Sequence, residues 1–208
     1  MAGIYGELSK TGWKLVNGSW VNPKEGYKMN ISKTGMKKTE YSILKACMSK
    51  DKTRQQLQVL NFTKDYVEST DGRILVRLAI ENDIEPGAYR VISENKLGKY
   101  LVELVLEKTD IVFPNTGNVI PKENGEYMLL GIEDNCLGVS GAMIKAFQYS
   151  ENAISYENME KLCLLNSVWN MYKYGKEKPS LFTSENGKYL AVIMPFCVND
   201  IKIEKSKA

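Results

Sequence analysis

The 208-residue chain contains no histidine. It therefore lacks the commonest general base, the usual zinc ligand and any Ser–His or Cys–His nucleophile pair. Its four cysteines, Cys47, Cys136, Cys163 and Cys197, are scattered and form no CxxC pair. That spacing fits reduced thiols rather than a disulfide frame or a zinc site. Carboxylates remain, and Asp71 with Glu68 or Asp110 would be the group for acid–base chemistry. Backbone geometry alone explains the Asp71-Gly72 step, however, as a turn. We assign no catalytic residue, no metal ligand and no cofactor, and expect a protein that is not an enzyme.

Cations offer the better-organised chemistry. On a 3.6-residue period over Met36–Met48, residues Met36, Tyr41, Ile43, Leu44, Cys47 and Met48 share one broad face. Lys38, Ser42, Lys45 and Ser49 fall on the opposite face, and Lys52 extends that stripe. Such a stripe is either a solvated surface or one that rides on DNA phosphates without reading bases. With 28 basic and 25 acidic residues the net charge is only +3. Any DNA contact must then come from local placement of lysines rather than from a global field. Trp13 and Trp20 flank Asn17-Gly18, a dipeptide suited to a type I′ hairpin turn. They belong either to an arm presented to a partner or to an appendage packed on the main body.

The elements that must position these residues are legible in outline. A strand is expected over Tyr27–Ser32, the helix over Met36–Met48, and a strand over Gln56–Phe62. A strand, the Asp71-Gly72 turn and another strand follow across Tyr66–Leu78. Strands are expected at Tyr89–Ile92 and Tyr100–Glu107, with a hairpin joining Tyr127–Ile132 to Cys136–Val139. The opening order then recurs: a strand at Lys145–Tyr149, a helix over Glu157–Asn166 capped by Ser155, and a strand at Val168–Tyr174. A closing hairpin carries Pro179–Thr183, a Ser184–Gly187 loop and the apolar run Tyr189–Ile193, ended by Met194-Pro195. The expected divisions are an N-terminal hairpin appendage (1–27), a main domain (28–198) and a charged tail (199–208). Within the main domain we expect a first half (28–81), a mainly β insertion (82–144) and a second half (145–198). Apolar and charged fractions of 43% and 25% are those of a globular domain. No apolar run reaches the ~20 residues that span a bilayer, and the N-terminus lacks the order of a signal peptide. A cytoplasmic protein without membrane contact is expected.

Several stretches carry a resemblance. Leu44-Lys45-Ala46, Arg54-Gln55-Gln56-Leu57 and Ser69-Thr70-Asp71-Gly72-Arg73-Ile74-Leu75 lie in the first half, and Met159-Glu160-Lys161-Leu162 and Lys178-Pro179-Ser180-Leu181 through Met194-Pro195 in the second. Phe113-Pro114 with Val119-Ile120-Pro121 adds a weaker match. In order and spacing the chain resembles the bacterial and phage-type DNA sliding clamp, the beta-subunit-like processivity factor of DNA polymerase III, in a single-domain form from a phage or other mobile element. The resemblance implies an α+β clamp-like domain: two pseudo-repeated β-α-β-β-β units with antiparallel sheets and two helices on one face. It also implies a homo-oligomeric ring around double-stranded DNA, touched weakly and without sequence preference by Lys38, Lys45, Lys52 and Arg73. The partner it implies is a DNA polymerase or other replication protein, whose peptide would dock in a groove at Met194, Pro195, Phe196 and Val198. The same four residues would also suit plain core packing. The alternative is a clamp-fold interaction module that binds a host or phage replication or defence protein without encircling DNA.

Overall fold

The computed structural model describes residues 31–131, 138–166, 168–175 and 177–195, and as backbone alone 14–16, 19–22 and 27–29. By internal contacts the chain divides into two compact units, Met1–Asp71 with Leu78–Pro114 and Gly72–Arg77 with Asn115–Ala208. In the first, β1 (Lys14–Val16), β2 (Ser19–Asn22) and β3 (Tyr27–Met29) form a small antiparallel sheet. Val16 pairs with Ser19; the Asn17-Gly18 step expected as the turn lies outside the described residues.

The main sheet of unit 1 runs β6-β5-β8-β9-β4. Its strands are β4 (Ile31–Lys37), β5 (Leu60–Phe62), β6 (Tyr66–Thr70), β8 (Gly87–Leu97) and β9 (Leu101–Thr109). Helix α1 (Lys38–Ala46) follows β4 directly and packs on β4, β6 and β9. Its N-terminus is satisfied by Glu40, whose carboxylate accepts from the Lys37 N–H at 3.4 Å. Leu44 is fully buried, and the Ser69 hydroxyl donates to the Leu44 carbonyl at 2.8 Å, tying helix to sheet through a buried hydrogen bond. Phe62 and Tyr89 meet edge to face, with ring centroids 5.4 Å apart. Strands β8 and β9, within the stretch expected as an insertion, pair with β5 and β4 and so belong to this sheet. The helix begins later than expected because Met36 and Lys37 continue β4 along β9. Only Leu60–Phe62 of the expected Gln56–Phe62 strand is extended; Gln55–Leu57 is a 3₁₀ turn whose Leu57 is buried.

Unit 2 runs β10-β11-β12-β13-β7. Its strands are β10 (Tyr127–Gly131), β11 (Val168–Tyr172), β12 (Ser180–Thr183), β13 (Tyr189–Ile193) and β7 (Ile74–Ala79), the last entered through Gly72 at φ 90°. Helices α2 (Gly138–Ser150) and α3 (Tyr156–Leu165) pack on each other. Two expectations are corrected here. Lys145–Tyr149 is helical: Gly141, Ala142, Ala146 and Ser150 form a small-residue face that is buried as a helix, and strand alternation would put the adjacent Gly141 and Ala142 on opposite faces. The expected hairpin partner of β10 is replaced by β11: Tyr127 pairs with Tyr172 and Gly131 with Val168, while Gly138 and Val139 open α2. Among the described residues, the expected two helices are thus three. Ser155 caps α3 as expected, its hydroxyl accepting from the Asn158 N–H at 3.1 Å.

Two groups hold unit 2 together. Trp169 is fully buried, stands edge to face with Phe182 and donates its indole N–H to the Asn166 carbonyl at 3.1 Å. Asn152, in the link between α2 and α3, donates to the Lys178 carbonyl at 3.0 Å and accepts from the Glu177 N–H at 3.1 Å. Removing a buried amide strands both backbone groups, so Asn152→Ala is expected to destabilise the protein by about 1–3 kcal/mol, read as a lowered urea midpoint.

Candidate functional site

Burial of Tyr41, Ile43 and Leu44 turns Lys38, Thr39, Ser42 and Lys45 of α1 to solvent. The exposed stripe is therefore the one set by the 3.6-residue period. Its charges are not equivalent. Lys45 Nζ lies 3.0 Å from Glu94 Oε2 on β8 and 5.6 Å from the centroid of the Tyr41 ring. Hydrogen bonds from Lys45 and then Tyr41 hold the Glu94 carboxyl below the usual carboxylate range. Burial, followed by the Glu94 carboxylate, pushes the Tyr41 phenol well above its ordinary value. Lys38 and Lys52, by contrast, are exposed and carry no ion pair among the described residues. Lys52 sits in a turn fixed by Asp51, whose carboxylate accepts from the Thr53 N–H and hydroxyl at 2.9 and 2.7 Å.

The helix of unit 2 that was expected to match α1 is different. Glu157, Glu160 and Leu164 are exposed on α3, whereas Lys161 is 7% exposed and pairs with Glu157 at 3.2 Å. Its outward face carries carboxylates and an apolar side chain.

Arg73 lies in the turn that leads into β7, and its carbonyl accepts from the Met194 N–H at 2.8 Å. Unit 2 therefore brings Arg73 beside the closing strand. By strand alternation Leu190, Val192 and Met194 share a face. Val192 is buried with Leu75, Tyr172 and Leu181, and Ile120, Tyr174 and Leu190 pack half-buried against that cluster. Tyr174 donates to the Lys122 carbonyl at 2.7 Å, and burial, then the Glu123 charge, pushes its phenol up to about 12. Met194 is 43% exposed and Pro195 half-buried at the end of this apolar surface. Phe196 and Val198 lie outside the described residues, as does Trp13; Trp20 is described as backbone alone, paired with Leu15 and Met29. Ile120, Tyr174 and Leu190 were missed in the sequence. Ile120 and Tyr174 offered only apolar character in segments that looked like loop or strand end, whereas Leu190 lay inside the expected closing strand. Glu94 was missed because its partner lies 49 residues away.

Two runs of five antiparallel strands, each with helix packed on it, define an α+β clamp-like fold. Three solved structures are similar to this chain. The DNA polymerase III subunit beta from Borrelia burgdorferi matches at 13% identity and TM-score 0.57, over 93% of this chain and 69% of the other. The DNA polymerase sliding clamp from Bacillus subtilis matches at 13% and 0.53 over 94% and 78%. The Caulobacter crescentus pol III beta matches at 12% and 0.54 over 86% and 70%. No family model and no curated protein matches the sequence. Identities this low define a shared fold. Among the described residues, no helix is long and apolar enough to cross a membrane.

The Lys45–Glu94 pair has a signed pH dependence. Its folded carboxyl titrates below the unfolded one, so its stabilisation is complete above the unfolded pKa of about 4.3 and is lost as pH falls through the folded value. Because both side chains are about half exposed, 55% and 48%, the pair is expected to contribute roughly 0.2–1 kcal/mol and to weaken with salt. The urea midpoint of Glu94→Gln should lie below that of the parent at pH 7 and converge with it below about pH 4.

Proposed function

We propose that this protein is a non-catalytic, sliding-clamp-like component of DNA replication, acting as a homo-oligomeric ring around double-stranded DNA. The observation that carries this reading is the clamp-like fold, matched over 93% of the chain by a DNA polymerase III beta subunit. Three features support it. Lys38 and Lys52 are exposed cations without ion-pair partners among the described residues, so they can approach phosphates without first breaking a salt bridge. Lys45 can do so only by leaving Glu94. Among the described residues, each unit also ends in a strand with one unpaired edge, β4 in unit 1 and β10 in unit 2. Copies joined head to tail through such edges close into a ring when the rotation permits. Lastly, the apolar surface ending at Met194 and Pro195 suits a short apolar peptide from a polymerase or other replication protein. In this reading Arg73 flanks that groove, and DNA contact rests on Lys38 and Lys52.

The face of α3 favours a second reading, a clamp-fold interaction module that does not encircle DNA. Glu157 and Glu160 would repel phosphates, and the Lys161 charge is already engaged with Glu157.

The readings separate by mass and by topology. Light scattering at micromolar concentration should give a discrete ring-sized oligomer, and that oligomer should be retained on nicked circular DNA and lost when the circle is cut. Lys38→Glu with Lys52→Glu should reduce retention at least tenfold and flatten its salt dependence. A monomer at every concentration with no retention on circular DNA would establish the interaction module instead.

A further inference from the structure

Strand β8 has an open flank inside unit 1. Along one edge it pairs with β9 from Ala88 to Leu97, interrupted only by a bulge at Ile92. Along the other it meets β5 for three residues only, Gly87–Tyr89 against Phe62–Leu60. Had β5 continued backward in register, Gln58 would have faced Val91 and Gln55 would have faced Glu94. Instead the chain leaves the sheet through the 3₁₀ turn Gln55–Leu57, which buries Leu57. A cleft of about 380 Å³ opens in that place, floored by Val91–Glu94 and walled by Tyr41, Lys45, Met48, Gln55 and Gln58. That volume lies within the range of ligand clefts, roughly 300–1,000 Å³.

The cleft carries unmet hydrogen-bonding capacity. Beyond Tyr89 no described strand pairs with the outer edge of β8, so alternate residues of Arg90–Leu97 turn N–H and C=O groups toward it. The Ser93 hydroxyl oxygen is buried and has no hydrogen-bond partner among the described residues. Ser93 sits next to a β-bulge, with the register of β8 on β9 shifting between Val91 and Ser93. Bulges of this kind re-aim side chains at strand edges.

Charge and polarity specify the occupant. Glu94 is already engaged by Lys45 and Tyr41, leaving Arg90 as the exposed charge of the rim, with Lys52 and Arg54 in the preceding turn. Met48, Val91 and Ile92 supply an apolar strip beside it. We propose that this cleft takes an extended segment of a partner polypeptide, added as a strand to β8, with an acidic side chain toward Arg90 and an apolar one over Ile92. Main-chain hydrogen bonds provide the affinity and the alternate side chains the selectivity. The site is distinct from the Met194 surface and does not depend on ring formation.

A library of linear ten-residue peptides displayed on phage, selected against the full chain, tests it. Enriched sequences should carry an acidic and an apolar residue two positions apart. A synthetic enriched peptide should lose at least tenfold in affinity when its alternate amides are N-methylated, and at least tenfold against Arg90→Glu. A control substitution at exposed Glu185→Lys in unit 2 should leave its binding unchanged. Ser93→Ala, which keeps the strand and removes only the hydroxyl, should weaken the peptide severalfold. The proposal is overturned if no sequence is enriched, or if the peptide tolerates both N-methylation and Arg90→Glu. Loss of binding in Met194→Ala would overturn it as well. A concentration-dependent dimer abolished by Ile92→Lys would assign the edge to a second copy and likewise overturn it.

Discussion

Burial of Leu44 beneath α1, locked by the Ser69 hydroxyl on the Leu44 carbonyl, is the constraint from which the surface chemistry of unit 1 follows. A nine-residue helix is too short to persist alone in water. Its rotation about its own axis is therefore decided by what it buries. Once Tyr41, Ile43 and Leu44 are inward, Lys38, Ser42 and Lys45 have nowhere to go but solvent. Ser69 adds directionality to this otherwise non-directional packing. Its hydroxyl reaches the helix carbonyl at one register only, and a helix shifted along the sheet would leave a buried donor unpaired, at a cost of about 1–3 kcal/mol.

The same logic explains why the two halves differ in charge despite a common order of elements. Lys161 occupies a largely buried position on α3, and a buried ammonium is tolerated only when it is paired. Glu157, one turn earlier, satisfies it and lies favourably at the helix N-terminus. That solution spends the cation on the helix itself and leaves carboxylates outward. In unit 1 the corresponding economy is partial: Glu94 neutralises Lys45, and Lys38 and Lys52 remain. A formal charge count of the sequence treats all these lysines alike. The structure sorts them into one buried, one paired from helix to sheet, and two open to solvent.

Features governed by local chemistry were legible in the sequence. The Asp71-Gly72 turn, the Ser184–Gly187 loop, the Ser155 cap and the solvent stripe of α1 each depend on residues within about one helical turn of each other, and each stands where expected. Long-range pairings were not legible. Tyr127–Gly131 has an equally good strand pattern whether it pairs with its neighbour or with Val168–Tyr172, and only tertiary packing chooses the latter. A strand was expected at Lys145–Tyr149, whereas the decisive residues are the small ones, Gly141, Ala142, Ala146 and Ser150, which line the buried face of α2. Gln56–Val59 alternates as a strand should, yet Leu57 and Val59 bury themselves better when the chain turns out of the sheet. Leu190 and Met194 lie on one strand legible in the sequence, but Ile120 and Tyr174, which pack on the same cluster as Leu190, come from separate segments that no short sequence window contains.

Among the described residues no strand pairs with the outer edges of β4 and β10, which bears on how copies of the chain could meet. On β4, alternate residues Lys33, Gly35 and Lys37 are exposed, and charged residues on an edge strand discourage indiscriminate pairing. On β10 the exposed residues are Tyr127 and Leu129, each more than half accessible, which is a sticky edge without such protection. Two β4 edges brought together would set lysines near lysines, and two β10 edges would pair apolar side chains without charge to fix register. Joining β4 of one copy to β10 of the next avoids the first conflict, and the lysine stems can lie along the aromatic and leucine side chains. Such a contact is heterologous, so its outcome is decided by geometry: rotation that closes gives a ring, and rotation that does not gives a filament. The proposed encirclement of DNA therefore turns less on the number of lysines than on the angle at which one unprotected edge meets one protected edge.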